Sequence, residues 1–88
     1  MTLEITKAEL SRNEDGSFVG RAIFSLANHQ ANYEITFFSK KGSEWEYSLS
    51  FSGEPGSEEQ FLEVDALLET DDEIYNQLLD AVIAVQDV

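Results

Sequence analysis

The sequence predicts a two-layer α+β fold: a four-stranded antiparallel β-meander, packed on one face by a C-terminal amphipathic helix. Four segments before residue 53 alternate apolar and polar side chains with the two-residue period of half-buried strands. Short turn sequences separate them, as they do between consecutive antiparallel strands. The last segment instead has apolar residues at helical spacing. With 88 residues, the chain has room for one domain, residues 1–88.

The first two strands are predicted over residues 2–10 and 18–27. Between them, Asp15 and Gly16 form a dipeptide that favours a hairpin turn. The first segment alternates only in part, whereas the second alternates clearly. Its residues on one face are Phe18, Ala22, Phe24 and Leu26.

The third and fourth strands are predicted over residues 31–39 and 44–52, after turns at 28–30 and 40–43. Both alternate, and the odd-numbered positions of the fourth are all aromatic or aliphatic. One face of the sheet is therefore expected to be largely aromatic. Its candidate residues are Phe24, Tyr33, Phe37, Trp45, Tyr47 and Phe51.

Two periodicities compete in residues 58–69. Phe61, Val64 and Leu68 fit a helical stripe, whereas the even-numbered apolar residues fit a strand. The abundance of Glu, Leu and Ala favours a short helix, with a fifth strand as the alternative. Ser57 and Gln60, three residues apart, fit a capping box at its start.

A helix is predicted over residues 71–86. Thr70 and Glu73 have capping-box spacing, and the acids of this segment lie at the positive end of the helix dipole. The apolar residues that follow recur at helical spacing and define the face expected to cover the sheet. They are Ile74, Tyr75, Leu78, Leu79, Val82 and Ile83.

The net charge of −13 is confined to the second half of the chain. Residues 1–43 contain five acids and all five bases, whereas residues 44–88 contain thirteen acids and no Lys or Arg. Five basic residues are too few to neutralise a phosphate backbone. Direct nucleic-acid binding is therefore not expected. No segment resembles a signal peptide or a membrane span, which favours a cytoplasmic location.

Catalytic and metal chemistry have little support in the residues. His29, the only histidine, lies in a predicted turn and is interpreted as an exposed turn residue. Asn13 and Asp15 resemble part of a calcium loop, but Ala22 occupies the position that requires a glutamate. No cysteine is present. We therefore expect no enzyme, no cofactor and no metal site.

The acidic half predicts a module that docks on a basic protein partner, because clustered charge of one sign speeds association with the opposite sign. Solubility alone is the simpler interpretation of the same charge. A sharper alternative is imitation of nucleic-acid phosphates to inhibit a nucleic-acid-binding protein. The predicted contact residues are Glu58, Glu59, Glu63, Asp65, Glu69, Asp71, Asp72, Glu73 and Asp80.

Two further hypotheses concern apolar residues. A small molecule or peptide would bind between sheet and helix, oriented by the polar groups of Tyr33, Trp45, Tyr47 and Tyr75. On the opposite sheet face, Val19, Ile23 and Phe38 would form one patch if strand pairing brings them together. A contiguous patch of this kind favours homodimer formation.

Overall fold

The computed structural model describes residues 3–85, in which four strands precede two helices. The strands are β1 (Leu3–Arg12), β2 (Phe18–Leu26), β3 (Asn32–Ser39) and β4 (Glu46–Ser52). The helices are α1 (Glu58–Thr70) and α2 (Asp72–Ala84). The strands pair antiparallel in chain order, and both helices pack on one face of this open sheet. The predicted α+β class and its two layers are confirmed.

Residues 58–69, which fit both a helix and a strand in sequence, form helix α1. The capping box predicted at its start is only half formed. Ser57 Oγ accepts a hydrogen bond from the Gln60 N–H at 3.3 Å, as expected of an N-cap. The Gln60 side chain does not complete the box. Its Nε2 donates to the Asn28 carbonyl, and its Oε1 accepts from the Gln30 N–H. Gln60 thus attaches the start of α1 to the turn between β2 and β3.

Asp71, and not Thr70, is the N-cap of α2. Its Oδ1 accepts hydrogen bonds from the N–H groups of Glu73 and Ile74, at 3.0 and 3.4 Å. The Thr70 hydroxyl instead donates to the Ala66 carbonyl, within α1. The prediction was wrong by one residue because α1 continues to Thr70, and Asp71 alone is extended between the helices. The predicted end at residue 86 lies outside the described residues.

A β-bulge explains the partial alternation of β1. Ile5 pairs with Phe24 and Lys7 with Ile23, so Thr6 is an extra residue on β1. The Thr6 hydroxyl donates to the Ile23 carbonyl at 3.1 Å. The extra residue shifts the inward-facing positions from odd to even numbers. Those packed against the core are Leu3, Ile5, Ala8 and Leu10.

The core lies between the inner face of the sheet and both helices. Its centre on the sheet is β3, where Tyr33, Ile35 and Phe37 are fully buried. The other buried apolar residues are Ala22, Phe24, Leu26, Val64, Leu68, Ile74, Leu78 and Val82. Each strand contributes alternate residues and each helix one stripe, which is the pattern of two layers packed over one core.

Gly20 sets the separation between α2 and the sheet. A Cβ atom at this position would lie 2.2 Å from Val82 Cγ1 and 3.1 Å from Leu10 Cδ1. Val82 is fully buried and β-branched, so its methyl group has little freedom to move away. The missing side chain at residue 20 is therefore what allows α2 to approach β2 so closely.

We expect Gly20→Ala to destabilise the protein by about 1–3 kcal/mol, as overpacking of a filled core usually does. The measurement is the free energy of unfolding in urea. Val82→Ala provides the matched test, because it removes the methyl group that the new Cβ would meet. The double variant should be more stable than the sum of the two single effects predicts. Strict additivity would contradict this account of Gly20.

Candidate functional site

The nine carboxylates predicted to contact a partner all belong to the helices or to the residue that joins them. We call this set the acidic helix layer. It consists of Glu58, Glu59, Glu63, Asp65, Glu69, Asp71, Asp72, Glu73 and Asp80. Asp65 and Asp71 are half-buried, and the other seven are exposed. The apolar stripes of α1 and α2 face the sheet, so the acids are left to the sides and outer surface.

No basic side chain offsets this charge within the layer. Residues 53–85 contain ten acids and no Lys or Arg, whereas residues 3–52 contain seven acids and five bases. Among the described residues the one ion pair joins Arg21 to Glu9, at 2.6 Å on the sheet. The net charges of these two parts are thus −10 and −2. The molecule has one strongly negative layer and one nearly balanced layer.

The negative charge of α1 also reaches the sheet. Burial raises the pKa of Tyr47 on β4, and the nearby carboxylates of Asp65 and Glu69 raise it further. Burial likewise raises the pKa of Tyr33, with a smaller contribution from Glu63. These carboxylates of α1 therefore lie close enough to the sheet to affect two of its tyrosine hydroxyls.

Leu62 is an exposed apolar residue among these acids. It is 59% exposed, more than any other large apolar residue of the described chain. Residues three or four apart are neighbours on a helix surface. Leu62 is therefore next to Glu58 and Glu59, one turn before it, and to Asp65, one turn after it. The contact residues predicted from the sequence were chosen by charge alone, so they did not include Leu62. A helical wheel for residues 58–70 would have identified it, because Leu62 falls outside the apolar stripe of Phe61, Val64 and Leu68.

Asp71 has a structural role besides its charge. Its carboxylate caps two N–H groups of α2 and is thus already engaged in hydrogen bonds. Of the predicted contact residues, it is the one whose replacement would disturb the fold. Tests of partner binding should therefore leave Asp71 unchanged.

His29 is half-buried, so the expectation of an exposed turn residue was wrong. Its Nδ1 lies 2.8 Å from the Tyr33 hydroxyl, and the two rings meet edge to face. His29 also lines a surface depression of about 440 Å³, together with Gln60, Glu63 and the adjoining turn. The lining includes no serine or threonine hydroxyl that an imidazole would activate. The contact gives the buried tyrosine hydroxyl its hydrogen-bond partner.

The segment that resembles a calcium loop is a hairpin turn. Asp15 Oδ1 accepts hydrogen bonds from the Ser17 N–H at 2.9 Å and from the Ser17 hydroxyl at 2.6 Å. Asn13 Nδ2 donates to the same hydroxyl, and Gly16 has the positive φ that such turns favour. Within residues 3–85, no three acidic or histidine side chains are arranged to hold a metal ion.

The hydrogen bonds from Ser17 lower the pKa of Asp15. We expect Ser17→Ala to raise this pKa toward its ordinary value, because the hydroxyl bond is the largest cause of the shift. A folded-state pKa below the unfolded one means that the contribution to stability exists above the unfolded pKa. It is lost as the pH falls through the folded pKa. The measurement is an NMR titration of the Asp15 carboxyl, with Ser17→Thr as the control. An unchanged pKa in Ser17→Ala would contradict the assignment.

The space between the inner sheet face and the helices, which we call the aromatic layer, is filled by the aromatic rings of both. Tyr33 stacks on Phe51, and Phe61 of α1 packs on both, with a 5.0 Å ring distance to Phe51. Tyr75 of α2 meets Phe37 and Tyr47 edge to face. Besides the depression at His29, a second one of about 380 Å³ lies at the turn between β3 and β4. Neither is lined by a ring of the aromatic layer. Ligand binding in this layer stays a prediction.

The three apolar residues on the outer sheet face do not form one uninterrupted row. Val19 and Phe38 pair directly across β2 and β3. Arg21 lies between Val19 and Ile23 along β2, where it pairs with Glu9. All three apolar residues are half-buried. A homodimer through this face stays a prediction.

Comparison with family models, curated proteins and solved structures gave no match for this chain. Neither described helix is long and apolar enough to cross a membrane. The functional assignment therefore depends on the charge and geometry of the described residues.

Proposed function

We propose that the protein is a non-enzymatic cytoplasmic module that binds a basic protein partner through the acidic helix layer. The observation that carries this proposal is the separation of charge: the two helices and the residue that joins them contain nine acids and no Lys or Arg. A surface that needed charge only for solubility would be served equally well by acids spread over both layers. Leu62 supplies an apolar contact within the charged surface.

The partner surface that fits is rich in Lys and Arg and has an apolar depression for one leucine side chain. Each exposed ion pair contributes only about 0.2–1 kcal/mol, so the charges act mainly together, by steering the encounter and fixing its orientation. An apolar side chain that becomes buried in such an interface contributes about 1.5–3 kcal/mol by leaving water. The proposal thus divides the roles: the carboxylates attract the partner and Leu62 anchors it.

We expect the quadruple variant Glu59→Gln, Glu63→Gln, Glu69→Gln and Asp80→Asn to bind the partner about tenfold more weakly at low salt, because four favourable charge contacts are lost. The measurement is affinity capture from a cell lysate at about 50 mM and about 500 mM NaCl, with quantitative mass spectrometry. Between these concentrations the Debye length falls from ~14 Å to ~4 Å. The loss on raising the salt should be smaller for the variant than for the wild type.

The matched control is a sheet-side variant with the same change in net charge. It replaces Glu4, Glu14, Glu34 and Glu44 with Gln. A partner that depends on the acidic helix layer is retained by this control and lost by the helix variant. Equal loss from both would show that only net charge matters, and capture unaffected by salt would exclude electrostatic docking. Competition by double-stranded DNA for the same partner would favour the nucleic-acid-mimicking alternative.

Leu62→Ala separates binding from stability. Because the side chain is mostly exposed, we expect the free energy of unfolding to change by less than about 0.5 kcal/mol. Capture of the salt-sensitive partner should nevertheless fall several-fold. Val19→Ala is the control, since Val19 is a half-buried apolar residue of β2 on the outer sheet face, away from the acidic helix layer. Full retention of the partner by Leu62→Ala would remove Leu62 from the interface.

A further inference from the structure

We infer that two copies of the chain associate edge to edge through β4, forming one continuous sheet of eight strands, four from each copy. This inference goes beyond the proposed function, because it concerns a different surface and a different partner. It also differs from the homodimer predicted through Val19, Ile23 and Phe38, which would stack outer sheet faces.

The first observation is that β4 is an open and apolar edge. It pairs with β3 on one side, and within residues 3–85 no strand pairs with its other side. Its inward-facing residues Tyr47, Leu49 and Phe51 are only half-buried, whereas their partners on β3 are fully buried. An added strand would complete the burial of these three side chains and pair the free backbone groups of the edge.

The two edges of the sheet also differ in how well they are protected against the addition of another strand. The edge strand β1 has a bulge at Thr6 and carries Lys7 and Arg12, and α2 packs against it. Bulges and lysines are common devices against strand addition. β4 pairs with β3 without a break in register and contains no lysine, arginine or proline. The chain is thus protected at one edge and open at the other.

The third observation identifies the occupant. The sequence of β4 is nearly palindromic about Leu49, with Ser48 and Ser50 on either side and an aromatic residue beyond each. A two-fold contact requires a surface that is complementary to itself. An antiparallel pair of β4 strands centred on Leu49 meets this requirement. The facing pairs are Leu49 with Leu49, Tyr47 with Phe51, Ser48 with Ser50, and Glu46 with Ser52.

These pairs favour a second copy over an unrelated strand. Both Tyr–Phe pairs and the central leucines lie on the inner face, and aromatic and aliphatic cross-strand pairs stabilise a sheet. On the outer face, serine meets serine, and Glu46 meets an uncharged residue. No like charges are therefore opposed within the paired segment. A register shifted by one residue would place polar side chains opposite the aromatic ones.

The two-fold axis of such a pair is perpendicular to the sheet, so both helix layers lie on the same side. Asp65 and Glu69, which act on Tyr47, would then approach their counterparts in the other copy. Beyond the strand ends, Glu44 of each copy would lie near Glu54 of the other. These repulsions are screened by salt, so association should strengthen as salt is raised. Docking on a basic partner has the opposite salt dependence, which keeps the two proposals distinguishable.

The test is the wild-type chain in sedimentation equilibrium, at about 50 mM and about 500 mM NaCl, up to roughly 500 µM protein. We expect a monomer–dimer equilibrium whose dissociation constant falls at least threefold at the higher salt. Amide chemical shifts measured over the same concentrations should change along residues 46–52. A monomer at every concentration in high salt would overturn the inference, as would shift changes confined to β2 and β3.

Two variants test the register. Ser48→Lys with Ser50→Lys places lysine opposite lysine across the two-fold axis and should weaken the dimer about tenfold. Ser48→Glu with Ser50→Lys places glutamate opposite lysine twice and should strengthen it. Both pairs of positions are on the outer face, so the monomer fold should persist, which circular dichroism checks. Ser25→Lys on β2 is the control. Equal effects of the two double variants would overturn the register centred on Leu49.

Discussion

Burial of the inner face of the sheet determines where the two helices lie and which of their side chains reach solvent. Four strands present alternate apolar side chains on that face, and the residues that follow β4 must cover it. Two short helices do so, joined at Asp71 and packed against the sheet by residues such as Val64 and Leu78. The absence of a side chain at Gly20 lets α2 approach closely enough to exclude water. Because the apolar stripes face inward, the carboxylates of the same helices are left at the sides and the outer surface of the molecule.

The distribution of charge follows from this packing and gives the two layers different properties. The helix side carries charge of one sign, and the sheet side is nearly balanced, with Arg21 paired to Glu9. A surface of one sign attracts a cationic surface and repels its own copy. The open edge of β4, in contrast, is complementary to itself and almost uncharged. The proposed docking and the inferred self-association thus involve separate parts of the molecule, and we expect opposite responses to salt.

Most of the sheet could be predicted from the sequence, because strand alternation with short turns leaves few other arrangements. The bulge at Thr6 could not, since only pairing with β2 shows that one residue of β1 is extra. Residues 58–69 satisfied both periodicities, and their helix propensity correctly favoured the helix that covers part of the inner face of the sheet. The same helix turned Leu62 outward and so decided whether it belongs to the core or to the candidate surface. The acids were assigned to this surface from the sequence, because charged residues on amphipathic helices seldom face inward. The role of Gln60 depends on contact with a distant turn, which no local pattern encodes.

Paramagnetic relaxation by charged probes measures the separation of charge between the two layers residue by residue. Small cationic and anionic paramagnetic complexes of equal size are added in turn at low salt, and the relaxation of each amide proton is compared. We expect a cation-to-anion ratio well above one for exposed amides of α1 and α2, and a ratio much closer to one on the outer sheet face around Arg21. A ratio that is uniform over both layers would contradict the account, because the negative charge would then create no distinct surface for a basic partner.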